Sequence, residues 1–232
     1  MKKILIIGAG LSGLSCASYL KKAGFNPYIF EKERIPGGKA TSENIKDFIC
    51  DKGFQVLLNN YSEVTKIVKY KDLDMQYFNS GAYIFHCGKL LKLYNPLYHP
   101  KHFINSDYNK IFKLKDYYNF AKTIFVDKDY SLHTNQYIEK YFSRDASNLF
   151  LKPFFKGIFL DDKLEIDLNL FRKLLKKFIF GKAGLPKNGM IELSKQIIKN
   201  MKLQNIRYNM EIKNIENNFA YFKNGERKQF DK

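Results

Sequence analysis

The spacing of apolar positions changes character several times along this chain of 232 residues, and each change marks an expected element. Residues 2–7 hold a short apolar run, Ile4, Leu5, Ile6 and Ile7, that stops at glycine, the pattern of a strand buried on both faces. Leu11, Leu14, Ala17 and Leu20 then recur at helical spacing to residue 22, and Gly24 supplies the stop. Residues 26–31 read as a second strand, and 35–38 as a loop, because adjacent glycines after a proline suit neither helix nor strand. Further on, 41–48 and 54–58 read as extended and 61–70 as a helix capped near Asn60 or Ser62. A hairpin about Gly88 joins 82–87 to 89–94. From about 96 to 199 the period becomes helical, at 111–125, 134–142, 146–159, 168–180 and 190–200, with Phe, Tyr and Leu on the apolar positions. Strand character returns at 205–215 and 219–222, and Asn224-Gly225 is a hairpin turn signal.

This order predicts an α/β domain, residues 1–80 and 200–232, interrupted by an insertion at 81–199 made of a hairpin and helices. Composition adds little to that picture but removes alternatives. With 45% hydrophobic residues the chain can fill a core. The formal charge of +17 comes from 40 Lys and Arg against 23 Asp and Glu, and the cations are mostly scattered lysines without an arginine cluster, so nucleic acid is excluded as a partner while contact with a membrane surface stays open. Three cysteines without metal spacing fit a reducing compartment, and no apolar run reaches the roughly 18 residues needed to span a bilayer, so the expected location is cytoplasmic, soluble or peripheral to a membrane. His86, His99, His102 and His133 form no triad or metal spacing and read as surface or packing residues.

The chemistry is written near the start. Gly8-Ala9-Gly10-Leu11-Ser12-Gly13 fits GxGxxG between a strand and a helix: Gly8 for the tight turn, Gly10 for close approach to a pyrophosphate, Gly13 for packing of helix on strand. The first helical turn, with Leu11 and Ser12, presents backbone N–H groups to phosphate. Glu31, 18 residues beyond Gly13 at the end of the second strand, is suited to accept hydrogen bonds from ribose hydroxyls, which disfavours a 2′-phosphorylated nucleotide. Together these mark a Rossmann-type βαβ unit.

Beyond Glu31 and Lys32, the run Gly37-Gly38-Lys39-Ala40-Thr41-Ser42 resembles the second flavin motif of the amine oxidase and phytoene desaturase superfamily, GG-(Arg/Lys)-x-x-(Ser/Thr). Phe48 to Leu58, with Asp51, Gly53 and Gln55, and two later runs, Leu151-Lys152-Pro153-Phe154-Phe155 and Gly184-Leu185-Pro186-Lys187-Asn188-Gly189-Met190, are similar to segments of one branch of that superfamily. The resemblance implies a Rossmann-like FAD-binding domain of the glutathione reductase type, with FAD as cofactor. It implies cofactor contacts at Gly8, Gly10, Leu11, Ser12, Gly13, Glu31, Lys32, Gly37, Gly38, Lys39 and, by the backbone contact that passes the adenine, Ile212. Lys39 stands where many relatives have arginine, a point charge in place of a planar fork.

By the same resemblance Asp51, Lys52 and Gln55 lie near the isoalloxazine, although Asp51 equally suits a turn cap beside Gly53, and no residue is assigned as catalytic. The implied activity is hydride transfer from a small, lipophilic substrate to flavin. The aromatic block at 149–180 suits either an apolar pocket or ordinary core. Relatives continue into a Gly-Asp motif that this sequence lacks, so the expected fold is truncated at its C-terminus. The rival expectation is therefore a non-catalytic fragment, or one subunit of a split flavoenzyme with a second polypeptide as partner.

Overall fold

The structure is a computed structural model and describes residues 2–53, 56–125 and 132–232. The chain divides into two compact units: unit 1 holds the residues up to Tyr77 and Gly184–Lys232, and unit 2 holds Phe78–Ala183. Unit 1 begins with β1 (Leu5–Ile7), α1 (Leu11–Lys22) and β2 (Tyr28–Phe30), followed by a 3-10 turn at Gly38–Ala40. A hairpin follows, β3 (Ser42–Ile45) and β4 (Phe48–Asp51), then β5 (Leu57–Leu58), the short α2 (Ser62–Thr65) and β6 (Met75–Tyr77).

Unit 2 opens with the hairpin β7 (Gly81–His86) and β8 (Lys89–Tyr94), in which Cys87 and Gly88 both have positive φ at the turn. Its helices are α3 (Pro100–Phe103), α4 (Tyr108–Ile111), α5 (Leu114–Phe125), α6 (Thr134–Tyr141), a π-helical turn at Ala146–Leu151 running into α7 (Lys152–Phe159), and α8 (Leu168–Phe180). The chain then returns through β9 (Ala183–Pro186) and α9 (Ile191–Asn200) to β10 (Ile206–Arg207), β11 (Ile212–Glu216), β12 (Phe219–Phe222) and β13 (Arg227–Gln229).

Two of the sheets in unit 1 pack against each other through Phe30. A parallel sheet has the order β1-β2-β10, with Leu5 opposite Tyr28, Ile7 opposite Phe30, and Arg207 opposite Phe30. Period-2 alternation splits its side chains between two faces. Ile6 and Ile29 turn to the face covered by α1 and α9, in a core with Leu14, Ala17, Leu193 and Ile197. Phe30 turns to the other face, against Met210, Ala220 and Phe222 of the antiparallel meander β11-β12-β13 and its lead-in.

The expected second boundary, at 199/200, moves to 183/184, because α9 buries Leu193 and Ile197 beside Leu14 and Ala17. The expected strand 205–215 is two strands in two sheets. Asn209 takes a positive φ of 56°, and Met210 N–H bonds to Glu31 carbonyl, which turns the chain from one sheet to the other. The expected helix 61–70 ends at Thr65, and the Gln196 side chain bonds both the N–H and the carbonyl of Lys69 at 2.6 and 3.0 Å. The stretch 41–48 is a hairpin bend, with Lys46 at positive φ. Phe54 and Gln55 lie outside the described residues.

Unit 2 has its own core, in which Tyr137, Phe155, Phe171, Ile138 and Leu151 are buried. Phe155 packs edge-on to Phe171 at 4.6 Å between centroids, and Phe120 edge-on to Phe142 at 4.9 Å. The block at 149–180 therefore contributes core, the plainer of its two expected roles. One buried carboxylate fixes a helix junction: Asp116 accepts Ser143 N–H, Ser143 Oγ–H and Lys113 N–H at 2.6, 2.6 and 2.7 Å. Asp116→Ala strands two backbone donors and a hydroxyl, and should lower stability by about 3 kcal/mol in urea unfolding. A loss under about 1 kcal/mol would show that the junction holds without it.

Candidate functional site

The turn from β1 into α1 is held by backbone contacts that tolerate no side chain. Gly8 has φ of 90°, and a Cβ at Gly13 would lie 2.1 Å from the Gly8 carbonyl oxygen, so only glycine lets the helix pack this close. Gly10, the N-cap of α1, offers no side-chain cap, whereas α8 is capped by Asp167, which accepts Leu170 N–H at 3.0 Å. The first-turn N–H groups of α1, at Leu11, Ser12 and Gly13, have no acceptor within the helix and carry the positive end of its dipole.

The second glycine loop docks on this turn. Gly37 N–H donates to Ala9 carbonyl at 2.9 Å, Gly37 and Gly10 form a parallel bridge, and a Cβ on Gly38 would lie 3.3 Å from Gly10 Cα. Two motifs about 27 residues apart thus form one backbone surface. Glu31 closes another side: it is 5% exposed, with Oε2 accepting Ala9 N–H at 2.6 Å and Oε1 accepting Glu33 N–H at 2.9 Å. A carboxylate offers about four acceptor sites, so about two remain for a diol.

These walls enclose a cavity of about 1180 Å³. All the residues singled out from the sequence as cofactor contacts line it: Gly8, Gly10, Leu11, Ser12 and Gly13 on one side, Glu31 and Lys32 on the second, Gly37, Gly38 and Lys39 on the third, and Ile212 at the start of β11. Three further residues that bear on its chemistry do so too. Arg34 adds a cation at the rim. Lys52, paired to Glu43 at 2.6 Å, has its pKa raised by that hydrogen bond and by the charge of Glu43, so it stays an ammonium. Thr41 is 4% exposed and, among the described residues, its Oγ1 has no hydrogen-bond partner. A buried hydroxyl without a partner is uncommon and costly, and the residue that carries it lines the cavity. No spacing in the sequence separates Thr41 from an ordinary loop threonine.

Asp51 and Ser42 are joined to each other and to the start of α9. Asp51 Oδ1 accepts Ser42 Oγ–H at 2.5 Å and Met190 N–H at 2.9 Å, while Ser42 Oγ accepts Ile191 N–H at 3.2 Å. The pair caps α9 and ties it to the strands that follow the glycine loop. Of the other residues expected beside the flavin ring, Lys52 lines the cavity and Gln55 lies outside the described residues. His133 takes part in a capping box on α6, and His99 and His102 pack around Tyr94. Among the described residues no cluster suits a metal ion, and no helix is long and apolar enough to cross a membrane.

The sequence pattern of the family described as flavin containing amine oxidoreductase matches residues 11–232. The chain belongs to that family. Among curated relatives, the flavin amine oxidoreductase chain is 29% identical over 173 residues to a 1-hydroxycarotenoid 3,4-desaturase of a Flavobacterium species, covering 68% of this chain and 34% of that protein. It is 32% identical over 75 residues to the 15-cis-phytoene desaturase of Synechococcus elongatus, covering 32% of this chain and 15% of the relative. Among solved structures, an oxidoreductase from Methanosarcina mazei superposes with a TM-score of 0.65 at 20% identity, over 94% of this chain and 54% of that one. A reduced UDP-galactopyranose mutase gives 0.61 at 17% identity, over 100% and 54%. The chain thus spans about half the length of these structures, which share its fold, and about a third or less of these curated relatives.

Two substitutions test the site without any ligand. Gly13→Ala forces α1 away from the Gly8 carbonyl and should cost about 3 kcal/mol of stability. Thr41→Val removes an unpartnered hydroxyl at constant shape and should raise the thermal midpoint of the ligand-free protein, by about 1 kcal/mol of stability. A lowered midpoint for Thr41→Val would mean that its hydroxyl is bonded within the fold.

Proposed function

We propose that unit 1 binds FAD through its ADP half, as part of an oxidoreductase that takes hydride from a small lipophilic substrate. The observation that carries this reading is the convergence of the Gly8–Gly13 turn, Glu31, the Gly37–Gly38 loop and Ile212 on one cavity of about 1180 Å³. Its chemistry suits the cofactor. Backbone donors at the start of α1, with Lys39 and Arg34, offset the charge of a pyrophosphate. The remaining lone pairs of Glu31 suit two ribose hydroxyls and repel a 2′-phosphate, and Thr41 supplies a hydroxyl in want of a partner. Bound FAD would supply the hydride-accepting flavin, and the protein's part is to orient the cofactor and exclude water. The carotenoid desaturases among the relatives are the support for a lipophilic substrate.

Calorimetric titration with FAD, and separately with ADP, should give one site with similar affinities, because the contacts lie on the ADP half. Gly10→Val, which puts a side chain where the pyrophosphate passes, should weaken both at least about 100-fold. Thr41→Val should weaken them several-fold. Absence of saturable binding by the wild-type chain, or equal binding by Gly10→Val, would overturn the proposal.

A further inference from the structure

A second cavity, of about 320 Å³, lies in unit 1 between the parallel sheet and the meander, on the sheet face away from α1. Strand register identifies which side chains meet there. Lys3 and Leu5 alternate on β1 and its lead-in, Leu5 sits opposite Tyr28, and Arg207 opposite Phe30, so all five share one face. From the meander, Ala220 is buried against that face and sits opposite Lys228, so Lys228 and Phe230 turn the same way. Lys3, Arg207 and Lys228 therefore line the cavity together with the apolar Leu5, Phe30 and Phe230.

Two facts separate this from general surface basicity. Among the described residues no carboxylate lines the cavity. Arginine is scarce in this chain, 5 of its 40 cationic side chains, yet Arg207 lines the cavity and Arg227 stands at its rim, stacked 5.5 Å over Phe219. Among the described residues neither guanidinium has a carboxylate within ion-pair distance. Two acids lie just outside the lining: Asp231 accepts Lys3 backbone N–H at 2.7 Å, and Glu226 forms a long, solvent-exposed ion pair with Lys228 at 3.9 Å. A cationic, acid-free cavity with Leu5, Tyr28 and Phe230 in its wall matches one kind of ligand, a compact anion joined to an apolar body.

We infer that this cavity is a second ligand site, which takes a small phosphate ester with its phosphate among Lys3, Arg207 and Lys228 and its carbon portion against Leu5, Tyr28 and Phe230. It is separate from the cofactor cavity. Phe30, whose ring packs on Phe222 with centroids 4.7 Å apart, is the one residue common to the two linings. Arg207 belongs to both in different ways: its carbonyl accepts Glu31 N–H at 2.9 Å, while its side chain lines the second cavity.

The test is calorimetric titration of the whole chain with phenyl phosphate and with inorganic phosphate. One site is expected, at least about tenfold tighter for phenyl phosphate because of the apolar wall. The double variant R207Q/K228Q keeps both backbones and should weaken phenyl phosphate at least about tenfold. R207K should restore part of the loss relative to R207Q. A control with the same change of charge in unit 2, K101Q/K176Q, should bind as wild type does. Circular dichroism of each variant separates loss of binding from loss of fold.

Equal weakening by the control pair would reduce the effect to attraction by a protein of charge +17 and overturn the proposal. So would phenyl phosphate binding no more tightly than phosphate, or being displaced competitively by FAD. Phenyl phosphate binding that persists in Gly10→Val keeps this site distinct, so failure of the FAD reading and failure of this one are told apart. Vesicles containing phosphatidic acid, sedimented with the chain and lost from R207Q/K228Q alone, would assign the ester to a lipid headgroup; no sedimentation would assign it to a free metabolite.

Discussion

Unit 1 depends on backbone packing against backbone. A β-carbon at Gly13 would overlap the Gly8 carbonyl, one at Gly38 would press on Gly10, and Gly37 N–H bonds to the Ala9 carbonyl. With the turns in such contact, amide dipoles and not side chains form the wall of the main cavity. Backbone N–H groups are the smallest donors a protein has, and they are fixed without any loss of rotamer entropy. Much of the cavity is therefore formed before any ligand arrives, and affinity is not spent on ordering the loop.

That arrangement leaves Glu31 with two tasks. Its carboxylate links the first glycine turn to the stretch after β2, and its own N–H and carbonyl tie β2 to Arg207 and Met210. The side chain that would read a ribose is thus also a structural joint. Losing it would disturb the cavity wall and the passage of the chain from β10 into the meander together, so a fall in affinity on its removal could not be read as the loss of a ligand contact alone. Thr41 is the cleaner probe, because its hydroxyl bonds nothing among the described residues.

Much of this was legible in the sequence because glycine spacing is a backbone constraint, and backbone constraints are local. Gly8, Gly10 and Gly13 specify a turn, Gly37 and Gly38 a second, and Glu31 a strand end, whatever the rest of the chain does. What sequence could not carry was each feature set by a distant partner. The helix at 61–70 has acceptable periodicity and yet ends at Thr65, with Gln196, more than a hundred residues away, bonding the Lys69 peptide groups. The break in 205–215 depends on Met210 meeting Glu31. Helix α9 reads from its period as one more member of the helical block, and only its buried contacts with α1 assign it to unit 1. Ser42 and Asp51 were visible as motif positions, but their role as the cap of α9 depends on a chain return far along the sequence, at Met190 and Ile191.

The aromatic content of unit 2 illustrates the same division between composition and placement. Its helices are short, 12, 8, 8 and 13 residues for α5 to α8, and short helices meeting at varied angles leave gaps that aliphatic side chains fill poorly. Rings packed edge to face fill such gaps and gain from their quadrupoles besides. Phe155 sits against Phe154 and Phe171, and Phe112 against Phe120 and Phe150, in this geometry. A ring buried on every side, as Phe155 and Phe171 are, presents no surface to a ligand. The phenylalanines that made the block look fit for a lipophilic substrate are, at these positions, what holds the helices together, so the substrate reading takes its support from the relatives and not from the aromatic block.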